Sequence, residues 1–283
     1  MSTHPTTLLS AAQLLALIDT DTDPSIVDCS FDLADVQAGE RSWREGHVPG
    51  SQHLHLDTQL SGAKTGRNGR HPLPERAAFA HTLGRLGITP RTQVVALDRQ
   101  GGMFAARLWW MLRWMGHDAV AVLDGGIAAW TAAGGALVQT ASPNEEAPPY
   151  PERASLAPTI AADALSARLG AVRLIDARAA ERFRGDVEPL DAAAGHIPGA
   201  LNRFFKDNLG ADGRFKPAPR LREEFLALMG GQPAGELVHQ CGSGVTACHN
   251  LLAMEHAGLS GSALYPGSWS EWSSDPDRPI ARS

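Results

Sequence analysis

Short apolar runs along this chain alternate with longer stretches whose apolar residues recur at helical spacing. Residues 93–97 and 119–123 are nearly continuous apolar runs, and 172–176 and 236–240 are built around Leu174-Ile175 and Leu237-Val238; all four read as buried strands. Val245, Cys248 and Leu252 fall on one stripe and predict a helix over residues 245–256. Residues 103–115 are apolar nearly all round, with Trp109, Trp110 and Trp114, and predict a well-buried helix. Strand–helix alternation of this kind predicts an α/β fold with a parallel sheet.

The pattern occurs twice. Ile26-Val27-Asp28 is followed 19 positions after its Asp by His47, in Gly46-His-Val-Pro-Gly50. Leu174-Ile175-Asp176 is followed 20 positions after its Asp by His196, in Gly195-His-Ile-Pro-Gly199. Further on, Val94-Val95-Ala96-Leu97-Asp98 matches Leu237-Val238-His239-Gln240-Cys241, and Gly125…Trp130 matches Gly267…Trp272. The period is far too long for a solenoid and implies a duplicated domain. Between the copies, residues 139–158 carry Pro143, Pro148, Pro149, Pro151 and Pro158 with Asn144, Glu145 and Glu146. That proline density predicts an extended linker, which divides the chain into residues 1–138, 139–158 and 159–283.

Composition narrows the function. The chain has 283 residues, 43% hydrophobic and 20% charged, with a net charge of −6. These are globular values without the basic surplus of a nucleic-acid binder. No apolar run approaches a membrane span, and Met1 to Leu9 lack the pattern of a secretory signal. Three cysteines cannot build a disulfide framework, so free thiols and a cytoplasmic location are expected.

The chemistry concentrates in Cys241-Gly-Ser-Gly-Val-Thr-Ala-Cys248. Cys241 directly follows a predicted strand; two glycines and a helix come next. Ligands of open α/β sheets bind beyond the carboxyl ends of strands. Gly242 and Gly244 permit a tight loop with inward-pointing N–H groups, and a helix start adds its own unpaired N–H groups. A cysteine there is expected to have a lowered pKa, to exist largely as thiolate and to act as a nucleophile. Cys248, on the apolar stripe, and Cys29 are expected to be packing residues.

Competing motifs fit less well. The spacing of His239, Cys241, Cys248 and His249 is not that of a structural zinc site. Gly242-x-Gly244-x-x-Ala247 lacks the acidic ribose ligand of a dinucleotide fold. A P-loop's Gly-Lys-Ser/Thr is missing. Ala247 stands where a cysteine phosphatase would carry its arginine. No metal or other cofactor is expected.

The Cys-Gly-Ser-Gly-Val-Thr loop, the paired Gly-His-x-Pro-Gly motifs and Pro266-Gly-Ser-Trp-Ser-Glu-Trp272 resemble tandem-domain rhodanese sulfurtransferases from about Ser10 to Trp272. The loop form is most similar to that of 3-mercaptopyruvate transferases; thiosulfate-preferring members typically carry basic residues at the places of Gly242 and Ser243. The resemblance implies two rhodanese-like α/β domains, each a parallel sheet flanked by helices. It also implies that only the second is catalytic, since Asp98 takes the cysteine's place in the first.

The implied reaction passes a sulfane-level sulfur from 3-mercaptopyruvate to Cys241, and then from the persulfide to a thiol, cyanide or reduced thioredoxin. Thiosulfate is the alternative donor, and a non-catalytic binding module the alternative function. By the same resemblance, Cys241 to Thr246, with Gly242, Gly244 and Val245, cradle the persulfide. Ser243 and Asp57 assist proton transfer, His71 lines the cleft, and Arg184 holds the donor's anionic group. A second arginine is usual in a Pro-Arg-Asp segment; here it reads Pro189-Leu190-Asp191, which leaves both donors open. His47 and His196 are expected to fix turns, Asp28 and Asp176 to accept from loop N–H groups, and Trp130 and Trp272 to anchor packing.

Overall fold

A computed structural model describes residues 4–18, 24–142 and 145–283. Met1 to Thr3 of the N-terminal stretch and Pro143 and Asn144 of the linker lie outside the described residues. The chain forms two compact units. The first comprises Met1–Ser61, Pro74–Leu156 and Ala211–Arg214, and the second Gly62–Leu73, Ala157–Gly210 and Phe215–Ser283.

In the first unit the order is β1 (Leu8–Leu9), α1 (Ala11–Ile18), β2 (Ser25–Asp28), α2 (Ala38–Glu45), β3 (Gln52–His53), α3 (Arg76–Arg85), β4 (Val94–Leu97), α4 (Ala105–Trp114), β5 (Val120–Leu123) and α5 (Gly126–Ala132). Five strands form one parallel sheet in the order β1-β5-β4-β2-β3. Strands β4 and β5 are buried at every residue, as their unbroken apolar runs predict. Both edge strands are only two residues long, which leaves little free edge for unwanted pairing. Leu9, Leu14, Ile26, Val95, Leu123 and Trp130 share one core.

The second unit contains α6 (Ala162–Ser166), β6 (Arg173–Asp176), α7 (Ala180–Arg184), β7 (Leu201–Asn202), α8 (Ala218–Met229), β8 (Leu237–Gln240), α9 (Ala247–His256), β9 (Ala263–Leu264) and α10 (Ser268–Trp272). Its parallel sheet runs β7-β6-β8-β9, the same order as β3-β2-β4-β5. A lone parallel bridge, Thr159 to Leu264, stands where β1 pairs with β5 in the first unit. Leu174, Val238, Tyr265, Trp269 and Trp272 belong to its core.

The duplication extends to single side chains. His47 Nδ1 lies 2.8 Å from the Trp43 carbonyl and its ring stacks on Trp43; His196 Nδ1 lies 2.8 Å from the Phe183 carbonyl and stacks on Phe183. Trp130 Nε1 donates to Ala136 O, and Trp272 Nε1 to Pro279 O. Asp28 accepts from the Ser30 N–H and Asp176 from the Arg178 N–H. These histidines and tryptophans close turns at matched places. Among the described residues, no helix is long and apolar enough to cross a membrane.

Candidate functional site

In both units the central strand ends in a loop that leads to a helix, the place where open α/β sheets present ligand-binding groups. In the first unit, β4 runs into Asp98. Its Oδ1 accepts the N–H groups of Gln100 (2.9 Å) and Gly102 (2.8 Å), and its Oδ2 those of Phe104 (2.8 Å) and Ala105 (2.9 Å). Asp98 is buried, so the amide bowl closes on a carboxylate of its own chain.

In the second unit, β8 runs into Cys241, which is 2% exposed. The N–H groups of Gly242, Ser243, Val245, Thr246 and Ala247 donate to no acceptor among the described residues. Buried N–H groups are rarely left without a partner, so this loop has anion-binding capacity that its counterpart spends on Asp98. Gly244 makes the turn at φ +77°, where a Cβ would lie 2.2 Å from the Pro266 carbonyl oxygen; neither the dihedral nor the space suits another residue.

Cys241 is fixed through its backbone. Its N–H donates to Ser268 Oγ (3.1 Å), that hydroxyl donates to the Tyr265 carbonyl (2.9 Å), and the Cys241 carbonyl accepts from the Trp269 N–H (3.0 Å). Ser268 has φ +53°, alone among described non-glycine residues in the left-handed region. Gly126 holds the matching position in the first unit at φ +55°. Serine bears strain at this dihedral that glycine avoids, and it brings the hydroxyl that accepts the Cys241 N–H.

Ser243 Oγ is 2.7 Å from His71 Nδ1, and both residues are buried. His71 reaches the loop because residues 62–73 pack within the second unit. The Arg70 N–H donates to Ser270 Oγ (3.0 Å).

Arg184 is not brought to the loop. It ends α7, about half exposed, and pairs with Asp186 at 2.7 Å. Two residues on a helix are separated by roughly 200°, so the opposite face belongs to Arg182. A Cβ on Gly242 would lie 3.4 Å from Arg182 Nη1 and 2.9 Å from Arg70 Nη2. Asp191 holds both guanidinium groups, Arg70 at 2.8 Å and Arg182 at 3.1 Å. The ladder continues inward through Glu188 to Arg178 and Asp176. Leu190 is exposed. Sequence reasoning missed Arg70, Arg182, Asp191 and Ser268; only Ser268 left a trace, as Gly-Ser where the first copy reads Gly-Gly.

Asp57 lies in the first unit, half-buried, its N–H donating to His55 Nδ1 at 3.1 Å. Cys29 is fully buried, and burial beside Asp28 and Asp98 pushes its thiol well up, which keeps it protonated and inert. Cys248 is buried and its thiol donates to the Gly244 carbonyl at 3.4 Å. His239 packs on Met254 Sδ at 3.1 Å, and burial pushes its pKa down to about 3.

Comparison with known proteins agrees with this anatomy. The rhodanese-like domain model matches residues 10–133 and 161–275. A protein named "Probable 3-mercaptopyruvate sulfurtransferase" from Pseudomonas aeruginosa is 48% identical over 278 residues, 97% of either chain. "Thiosulfate/3-mercaptopyruvate sulfurtransferase 2" of Arabidopsis thaliana is 31% identical over 292 residues, 93% of this chain and 83% of that one. The solved structure of 3-mercaptopyruvate sulfurtransferase from Leishmania major superposes with a TM-score of 0.83 at 30% identity, covering 96% of this chain and 76% of that one. With two domain matches and a near-full-length relative at this identity, the chain belongs to the rhodanese family.

Proposed function

We propose that the protein is a sulfurtransferase that carries sulfur as a Cys241 persulfide, with 3-mercaptopyruvate as donor. The Cys241 thiolate attacks the donor's thiol sulfur and a sulfur–sulfur bond forms. The carbon–sulfur bond breaks, its electron pair remains on carbon as the enolate of pyruvate, and a proton taken up there releases pyruvate. The hydrogen-bonded Ser243 and His71 supply that proton. The N–H groups of Gly242, Ser243, Val245 and Thr246, with that of Gly244, stabilise charge on sulfur. Arg182, rather than Arg184, anchors the donor's carboxylate through its guanidinium fork. A thiol acceptor, reduced thioredoxin or cyanide then takes the outer sulfur and restores the thiolate.

The supporting observation is the contrast between the matched loops. One closes four N–H groups on the Asp98 carboxylate. The other has a thiol at that position and five N–H groups with no acceptor among the described residues. A carboxylate cannot form a persulfide, so residues 1–138 carry no nucleophile of their own, 139–158 form the linker and 159–283 carry the nucleophile, with residues 62–73 of the first stretch packed into the second unit. Cytoplasmic residence belongs to the same reading, as all three cysteines are free. Thiosulfate is the alternative donor; residues 241–250 carry no Lys or Arg, so offsetting its second charge would fall to the neighbouring Arg70 and Arg182.

Intact mass spectrometry after treatment with 3-mercaptopyruvate is the test. One added sulfur, mapped to the Cys241 peptide, together with released pyruvate, is expected. Sulfur on another peptide overturns the nucleophile, and faster turnover of thiosulfate overturns the donor.

A further inference from the structure

We propose that Ser270 is a positioning residue for the proton-supplying pair, its hydroxyl tying the segment that carries His71 to the loop that carries the nucleophile; this rests on the sulfurtransferase reading. Ser270 makes three hydrogen bonds. Its N–H donates to the Gly242 carbonyl at 2.9 Å, one residue from Cys241. Its hydroxyl donates to the Gly267 carbonyl at 3.2 Å, which commits the hydroxyl proton and leaves the oxygen to accept. That oxygen accepts the Arg70 N–H at 3.0 Å, and the next residue, His71, lies 2.7 Å from Ser243 Oγ through its Nδ1. Gly69 lets the two backbones come this close: it turns at φ +84°, and a Cβ there would lie 2.8 Å from the Gly267 carbonyl oxygen and 3.1 Å from Ser270 Oγ.

The segment needs such a tie. Residues 62–73 carry no helix or strand, and residues 63–67 are exposed. Bonds within the segment close it on itself, the Gly62 N–H on the Pro72 carbonyl and the Thr65 N–H on the Asn68 side chain. A proton donor set on a segment of that kind keeps its place through supporting bonds from a firmer element. The other copy supplies the contrast. Matching Gly267…Trp272 to Gly125…Trp130 puts Ala128 at the place of Ser270, and matching Gly69-Arg70 to Gly213-Arg214 puts Phe215 at the place of His71. Gly213 repeats the turn at φ +75°, yet the Arg214 N–H donates to Asp212 Oδ1 at 3.2 Å, within its own segment. The hydroxyl is missing where the histidine is missing.

Single-turnover pyruvate release from 3-mercaptopyruvate by Ser270→Ala, Ser270→Thr, His71→Ala and the Ser270→Ala/His71→Ala double variant tests this. Ser270→Ala keeps the backbone bond to Gly242 and removes only the hydroxyl; its rate is expected to fall about tenfold or more, the scale on which small displacements of a reacting group act. Ser270→Thr, which keeps the hydroxyl, should retain at least about a third of the rate, and alkylation of Cys241 by iodoacetamide should stay within about twofold in both variants. On top of His71→Ala, removing the Ser270 hydroxyl should cost less than about twofold, because residues that act through one another are not additive. A full rate in Ser270→Ala, an equal fall in Cys241 alkylation, or a loss of the same size repeated in the His71→Ala background overturns the assignment and leaves the sulfurtransferase reading standing. No pyruvate release and no Cys241 persulfide from the unaltered protein overturns both.

Discussion

Ser243 Oγ and His71 Nδ1 are hydrogen-bonded at 2.7 Å although 172 residues separate them in sequence. The pair is buried, with Ser243 two residues beyond Cys241 in sequence, so a proton can be held there away from water. Ser243→Ala and His71→Ala are each expected to lower kcat for pyruvate release by about a hundredfold or more, the usual scale for a lost general acid. Cys241 should remain open to alkylation in both. Stopped-flow pyruvate detection with parallel iodoacetamide labelling checks this; full kcat in either variant would remove the pair from the relay.

Asp98 has the opposite relationship to its loop. Four backbone N–H groups depend on one buried carboxylate, and removing it leaves all four without a partner. Asp98→Ala is expected to cost about 3–5 kcal/mol of folding stability, and Asp98→Asn less, since one amide oxygen still accepts. Urea denaturation checks this. A loss under about 1 kcal/mol would mean that water replaces the carboxylate readily.

The two loop glycines should separate cleanly. Gly244→Ala would drive a methyl into the Pro266 carbonyl at 2.2 Å and force a strained dihedral, so lost activity with a lowered melting temperature is expected. At Gly242 the nearest atom is the tip of a flexible arginine, 2.9 Å away. Gly242→Ala should fold normally and raise the donor KM. Differential scanning calorimetry with KM measurement distinguishes them.

Ser268→Gly removes the hydroxyl that accepts the Cys241 N–H while relieving a positive φ. The losses offset one another in stability but not in the placement of Cys241. A melting temperature within a few degrees and a kcat/KM reduced about tenfold are expected; Ser268→Ala, with strain kept and hydroxyl lost, should be worse on both counts.

His239 gives the pH dependence its sign. Its folded pKa, pushed down to about 3 by burial, lies below the ordinary value near 6.5. The unfolded chain therefore binds a proton below about pH 6.5 that the folded chain refuses. Stability contributed by the neutral ring is complete above that pH and is lost as pH falls, at about 1.4 kcal/mol per unit. His117, also pushed down by burial, adds to the slope. Replacing His239 with Leu should flatten the profile between pH 6.5 and 4, read from urea midpoints; an unchanged slope would place the sensitivity elsewhere.

Cys241 and its loop were legible in the sequence because their cues are local: an apolar run, two glycines and a helical stripe. Strands β4, β5, β6 and β8 fell within a residue of their expected starts for the same reason. Arg182 was not legible, since a five-residue helix is too short for periodicity to say which of two nearby arginines faces the loop. Arg70 was beyond reach as well, because its meaning depends on Asp191, and only the folded backbone brings them together. Ser268 depends on a dihedral angle, which composition does not encode.

Residues 62–73 belong by order to the first half of the chain and by packing to the second unit. The duplicated halves are thus no longer interchangeable parts: a polypeptide beginning at residue 157 would keep the sulfur-bearing cysteine yet forfeit His71 and Arg70. Under the sulfurtransferase reading the chain therefore cannot be cut where its repeat divides it, because a stretch of the first half completes the surroundings of the loop in the second.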